Sequence, residues 1–220
     1  MSEKRIIITG ATGMVGGCAL RICLENPDVS RVTVLGRNRT GINDARLHEV
    51  VVDDFTDYSA LTDALENQDA ALFCLGVYTG AVPDDLFRQI TVDYTLAFAK
   101  ALHRASPQAA FCFLSGQGAD PTEKSRMTFA RYKGVAETGL LDMGFRRVHI
   151  FRPGYIYPVT PRKEPNLVYT ITRFLYPLYP NIGIASEDLA AAMVHAGLYG
   201  TAEKDNPVLE NRDIRAMKGA

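Results

Sequence analysis

As far as Gly154, apolar residues recur along the chain in two alternating patterns. One is the short continuous run: Arg5–Thr9, Arg31–Leu35, Glu49–Val52, Ala70–Leu75, Ala110–Leu114 and Arg147–Phe151. These runs are rich in β-branched and aromatic residues, and each predicts a strand covered on both faces. Between them the apolar spacing turns helical. Met14–Glu25 predicts a helix that stops at Asn26-Pro27, Tyr58–Leu65 a short one, and Thr122–Met143 a further one. Asp84–Ala105 predicts a long helix, with Leu86, Ile90, Leu96 and Leu102 among its apolar positions. Strands alternating with helices imply βαβ units, and hence an α/β fold with a doubly wound parallel sheet and helices on both faces. Ligands of such sheets sit at the carboxyl ends of the strands.

Beyond Tyr155 the alternation weakens. Tyr157–Asn166 is a proline-rich loop, two helical stretches follow, and Pro207–Leu209 predicts a brief strand. The expected organisation is one domain over 1–220. Its core spans roughly 1–155, and 156–220 forms a small substrate-side extension within the same domain. Phe174–Tyr179 suits an interface, a lid or the core. Leu167–Tyr179 is the most apolar stretch, but Arg173 and Pro177 interrupt it and it is too short to span a membrane.

Composition removes other classes. Net charge is −1, from 24 basic and 25 acidic residues, so no nucleic-acid partner is expected. The four cysteines, Cys18, Cys23, Cys74 and Cys112, form no C-x-x-C pair and fit no zinc spacing. They lie in apolar segments and read as reduced thiols of a cytoplasmic protein, with no metal. The opening MSEKRIIITG is too short and polar for a signal peptide.

The first chemical signal is I-T-G-A-T-G-M-V-G, residues 8–16, between the first strand and the first helix. Gly10, Gly13 and Gly16 permit a tight turn, close approach of a pyrophosphate, and packing of helix on sheet. Met14 and Val15 then open a helix whose free N–H groups and dipole favour phosphate, and Thr12 adds a hydroxyl. The position in the chain makes this a dinucleotide site on a Rossmann-type sheet. After the second strand, LGRNR carries no carboxylate for the ribose hydroxyls. Arg37 and Arg39 are available instead for a 2′-phosphate, Arg37 the better placed, so NADP(H) is favoured and NAD(H) remains possible. Asp53 and Phe55, after the third strand, could border the adenine; Asp53 equally suits a turn.

These pieces resemble the short-chain dehydrogenases/reductases of the atypical or extended kind, whose glycines follow G-x-x-G-x-x-G. The particular resemblance is to the HIV Tat-interacting oxidoreductase-like family of NADPH-binding proteins, with NmrA-like proteins more distant. It rests on ITGATGMVGG, LGR at 35–37, CLG at 74–76, LSGQGAD at 114–120, Lys133-Gly134, FRPG at 151–154 and LENRDIRAM at 209–217. The resemblance implies that Leu75 and Gly76 lie along the cofactor and that Ser115 hydrogen-bonds a substrate carbonyl. It implies that Lys133 holds the nicotinamide ribose and that Pro153 passes near the carboxamide. Without it, Ser115 is a hydroxyl in a glycine-rich turn and Lys133 a solvated helix charge.

The family's Tyr-x-x-x-Lys pair is broken. Residues four apart share a helix face, so a phenol there can meet the lysine ammonium and donate a proton. Here the position is Phe129. Tyr132 points about 100° away from Lys133 on the helix. Ser115, Tyr78, Tyr155 and Tyr157 are other hydroxyls that could substitute. Thr91 stands where related enzymes often carry an asparagine for a relay water. Three readings follow: an NADP(H)-dependent reductase of a small carbonyl substrate with an impaired proton donor; a non-catalytic NADPH-binding redox sensor or protein-interaction module; or a structural relic that binds nothing, against which the complete glycine turn argues. A homodimer is possible.

Overall fold

The computed structural model describes residues 3–158, 183–201 and 207–217. Ile6, Ile7 and Ile8 are all fully buried; Ile6 and Ile8 pack into one helical layer and Ile7 into the other. A strand apolar at successive positions needs cover on both faces, and this one has it. The elements run β1 (Lys4–Thr9), α1 (Met14–Glu25), β2 (Val29–Gly36), β3 (Leu47–Val51), a 3₁₀ turn leading into α2 (Thr62–Leu65), and β4 (Ala70–Phe73). Then come α3 (Asp84–Arg88), a π turn (Gln89–Asp93), α4 (Tyr94–Ala105), β5 (Ala110–Leu114), α5 (Thr128–Leu141) and β6 (Arg147–Arg152). The described remainder is β7 (Tyr155–Tyr157), β8 (Gly183–Ala185), α6 (Ser186–Tyr199), β9 (Val208–Glu210) and α7 (Asn211–Ala216).

Seven strands pair in parallel in the order β3-β2-β1-β4-β5-β6-β9. The chain moves outward from β1 to β3, then returns to β4 on the other side of β1. That reversal opens a crevice at the carboxyl ends of β1 and β4. Helices α1 and α6 cover one face, while α2, α4 and α5 cover the other. The expected tail strand joins the main sheet beside β6, and β7 pairs with β8 as a separate two-stranded ladder.

Three expectations shift. Helix α5 begins at Thr128 rather than residue 122, because the Asp120 carboxylate accepts bonds from the Thr122 N–H, the Thr122 hydroxyl and the Ser125 N–H. Those bonds hold 120–125 in a turn that competes with helix. The long helix keeps its length but passes through the π turn, where the Thr95 hydroxyl donates to the Thr91 carbonyl at 2.8 Å. Phe55 is 3% exposed and stacks on Tyr94, so its ring belongs to the core rather than to an adenine site. The loop beyond residue 158, the Leu167–Tyr179 stretch and its Phe174–Tyr179 cluster lie outside the described residues. No described helix is long and apolar enough to cross a membrane.

Candidate functional site

The glycine turn is built by contact. Gly10 has φ of 73°, and a Cβ on it would fall 2.7 Å from the Cys74 carbonyl carbon. A Cβ on Gly16 would sit 2.2 Å from the Gly10 oxygen. Both glycines therefore let β1, α1 and β4 meet backbone to backbone, and neither lines the crevice. Gly13, Met14 and Val15 do line it. Thr12 is exposed just outside it. No side chain caps the N-terminus of α1, and its first turn carries no carboxylate. The first N–H groups of that helix are thus left for a partner outside it. A close-approach turn without Cβ atoms, followed by an uncapped helix, fits a dinucleotide pyrophosphate.

Arg37 follows β2 directly, Asp53 follows β3 after Val52, and both are exposed at the carboxyl edge of the sheet. The structure brings them to one edge but gives them no mutual contact. Arg39 acts on the Glu49 carboxylate, which also accepts two bonds from Thr40; these, with Arg39, hold Glu49 below the ordinary range. That leaves Arg37 as the guanidinium free of described partners at this edge.

The crevice deepens into a cavity of about 530 Å³ between the ends of β1, β4, β5 and β6. Leu75, Gly76, Ser115, Lys133 and Pro153 all line it, as do Phe129, Tyr78 and Tyr155. Lys133 is not a solvated charge: it is 9% exposed. Its ammonium donates to the Leu114 carbonyl at 2.8 Å and lies 4.6 Å from the Phe113 ring centre. Burial pulls its pKa down to about 8, against the opposing pull of Glu137 and Cys74. An ammonium has three N–H donors, so others remain for a ligand in the cavity.

Phe129 occupies the expected tyrosine position. Its ring rests on Gly116, where an added Cβ would come 2.5 Å from the ring tip. Tyr132 turns the other way. Its hydroxyl donates to Asp84 at 2.8 Å, and that bond raises its pKa. Tyr132 therefore braces α5 against α3 and does not reach the cavity. Thr91 is buried in the π turn and does not line the cavity either. Tyr78 is 69% exposed at the rim. Tyr155 packs edge-on to Tyr157, their ring centres 5.0 Å apart.

Behind the wall lies a charged group that the sequence did not announce. The Ser115 hydroxyl donates to Oε1 of Glu137, which is 2% exposed. Arg152 donates to the same carboxylate through Nε at 3.0 Å and through Nη2 to the other oxygen. Arg152 Nη1 reaches Glu210, its cross-strand neighbour, at 3.1 Å. The Gly154 N–H, beside Pro153, donates to Asn211 at 3.0 Å. The available signal was Glu137 itself, four residues after Lys133 on the same helix face. The cysteines are free; burial pushes the Cys23 and Cys74 thiols up to about 12. Among the described residues no group of His, Cys, Asp or Glu could hold a metal ion.

A family model described as NAD(P)H-binding matches residues 10–140. Protein HTATIP2 of Rattus norvegicus is 30% identical over 158 residues, covering 71% of this chain and 64% of that protein. The chain thus matches less than two thirds of that relative's length. The protein named fmp52, mitochondrial, of Aspergillus clavatus is 30% identical over 205 residues, 88% of this chain and 86% of that protein. Solved structures share the fold. An oxidoreductase of the short chain dehydrogenase/reductase family from Burkholderia thailandensis superposes with a TM-score of 0.66 at 20% identity, covering 96% of this chain and 91% of that one. The Bordetella bronchiseptica enzyme WbmF in complex with NAD⁺ gives 0.69 at 15% identity, covering 98% and 77%.

Proposed function

The chain belongs to the NAD(P)H-binding family, among the atypical short-chain dehydrogenase-like proteins, and we propose that within it this protein binds NADP(H) with an attenuated capacity for carbonyl reduction. The observation that carries this is the cavity wall. Lys133 is buried and directed at the cavity, and the ring one turn before it is Phe129, which has no proton to give. In this reading Gly13, Met14 and Val15 receive the pyrophosphate, with Gly10 and Gly16 shaping the turn and Thr12 at its edge. Arg37 meets the 2′-phosphate, and Asp53 borders the adenosine. Leu75, Gly76 and Pro153 flank the nicotinamide half, and Lys133 holds its ribose. The cofactor, when bound, supplies hydride. General acid help is worth about 10²–10⁴ in rate, and that is the part this chain lacks.

The alternative, a redox sensor or interaction module, is favoured by the same Phe129, because Lys133 can bind ribose without any proton transfer. A homodimer is tested by light scattering of the purified chain. The free thiols suit a reducing compartment such as the cytoplasm, while the fungal relatives carry a mitochondrial name; localising a tagged chain decides between them. The cofactor reading is tested by calorimetric titration with NADPH and NADH on the parent and on Arg37→Ala. Arg37→Ala is expected to weaken NADPH by about tenfold and to leave NADH nearly unchanged. Equal affinities in the parent refute the NADP(H) preference, and binding of neither refutes the reading.

A further inference from the structure

We infer that Glu137 is a positioning residue that fixes the Ser115 hydroxyl as a hydrogen-bond acceptor toward the cavity, so that the ligand group seated there is a hydroxyl rather than a carbonyl. The inference rests on the cofactor reading above and names the substrate class of that same cavity. A carboxylate that takes Arg152 on both oxygens is ionised and has no proton of its own. In the Ser115–Glu137 bond the hydroxyl must therefore be the donor. Serine has one O–H proton, and here it points away from the cavity. What Ser115 presents to a ligand is lone pairs. Its own N–H is no substitute, because it is spent on the Phe151 carbonyl at 2.8 Å.

The arrangement is firmly held. Ser115 is 6% exposed and Glu137 2%, and both sit between β5, α5 and β6. Arg152 is anchored a second time by Glu210. Reversing the hydroxyl would leave the Glu137 oxygen facing a serine lone pair. A carbonyl oxygen brought to Ser115 would meet another acceptor, whereas an alcohol would donate into it. Lys133 stands on the same wall and can donate to that alcohol's oxygen, so a hydroxyl finds both an acceptor and a donor. A carbonyl could use only the Lys133 donor, whereas a hydroxyl uses both Lys133 and Ser115, and Phe129 has no proton to offer either.

The test uses matched pairs, 1-phenylethanol with acetophenone and cyclohexanol with cyclohexanone. Each is titrated into the full chain at saturating NADP⁺ and followed by saturation-transfer NMR. The alcohol of each pair is expected to bind about tenfold or more tightly than its ketone. In Glu137→Met no acceptor remains behind Ser115, so its proton is free to turn to the cavity and the preference is expected to fall to within about threefold. Ser115→Ala removes the hydroxyl and is expected to abolish the preference, which keeps the inference exposed should Glu137→Met fail to fold. A preference for the ketone, no discrimination, or no binding of either compound beside bound NADP⁺ overturns the inference and leaves the cofactor reading intact. Absence of NADP⁺ binding overturns the cofactor reading, and this inference falls with it.

Discussion

Replacing Lys133 with methionine is expected to make the fold more stable while weakening its hold on NADPH. The ordinary lysine pKa is 10.5, and burial brings this one down to about 8. At neutral pH the native state thus carries an ammonium that the unfolded chain accommodates far better. At roughly 1.4 kcal/mol per pH unit, that is on the order of 3 kcal/mol of stability forgone. Methionine matches the length of the stem and carries no charge. Little else should be lost. The Leu114 carbonyl borders a cavity open to water, and Glu137 keeps both of its bonds to Arg152. A gain of about 2–3 kcal/mol should raise the melting temperature of a chain this size by roughly 5–10 °C.

The pH dependence separates this account from ordinary repacking. A depressed lysine imposes its full penalty below pH 8. The penalty shrinks as pH rises toward 10.5, because the native state has already shed the proton that the unfolded chain still holds. Urea unfolding of both proteins, without nucleotide, at pH 7 and near pH 10 is the assay. The advantage of Lys133→Met should be large at pH 7 and mostly gone at the higher pH. A variant less stable than the parent, or one whose advantage ignores pH, refutes the reasoning. The accompanying loss of NADPH affinity would mark Lys133 as a residue that lowers stability for the sake of binding.

Phe129→Tyr restores a phenol one turn from Lys133 and is expected to raise nicotinamide-linked turnover about a hundredfold, read as absorbance at 340 nm with the best-bound alcohol or carbonyl; an unchanged rate would place the missing element elsewhere. Gly16→Ala sets a Cβ 2.2 Å from the Gly10 oxygen. It should lower stability by about 1–3 kcal/mol in urea melts and abolish NADPH binding. His149 is buried with both ring nitrogens unpartnered, and burial, with Arg147 adding to it, lowers its pKa from 6.5 to about 4. Its contribution is complete above pH 6.5 and is lost as pH falls through about 4, a change on the order of 3 kcal/mol. Unfolding curves for His149→Leu should lack that part of the acid slope.

The alternation of strands and helices was legible because a parallel strand buried on both faces must be apolar throughout. Ile6-Ile7-Ile8 and Phe111-Cys112-Phe113 are apolar at successive positions and fully buried. The glycine turn was legible because backbone contacts leave no room for other residues at positions 10 and 16. The start of α5 was not, since Asp120 diverts the chain through bonds that do not disturb the apolar spacing. Phe55 misled because an aromatic residue after a strand looks the same whether it enters the core or a ligand site. Glu137 and Arg152 were passed over for a different reason. Charges on a helix and at a strand end read as solvated, and only the fold brings them together behind Ser115.

The placement of β9 and α7 also bears on biosynthesis. Among the described elements they leave the ribosome last, yet Glu210 secures the guanidinium that holds Glu137, and Asn211 secures the amide beside Pro153. β6 remains an open sheet edge until Val208–Glu210 arrives beside it. The glycine turn is complete once β4 has emerged and Cys74 stands against Gly10, but the bonds that brace the opposite wall wait for residues 208–211. A nascent chain released before them should therefore carry the glycine turn without the bonds that brace Ser115 and Pro153. A nucleotide that needs both walls would stabilise chains carrying residues 208–211 over those that lack them.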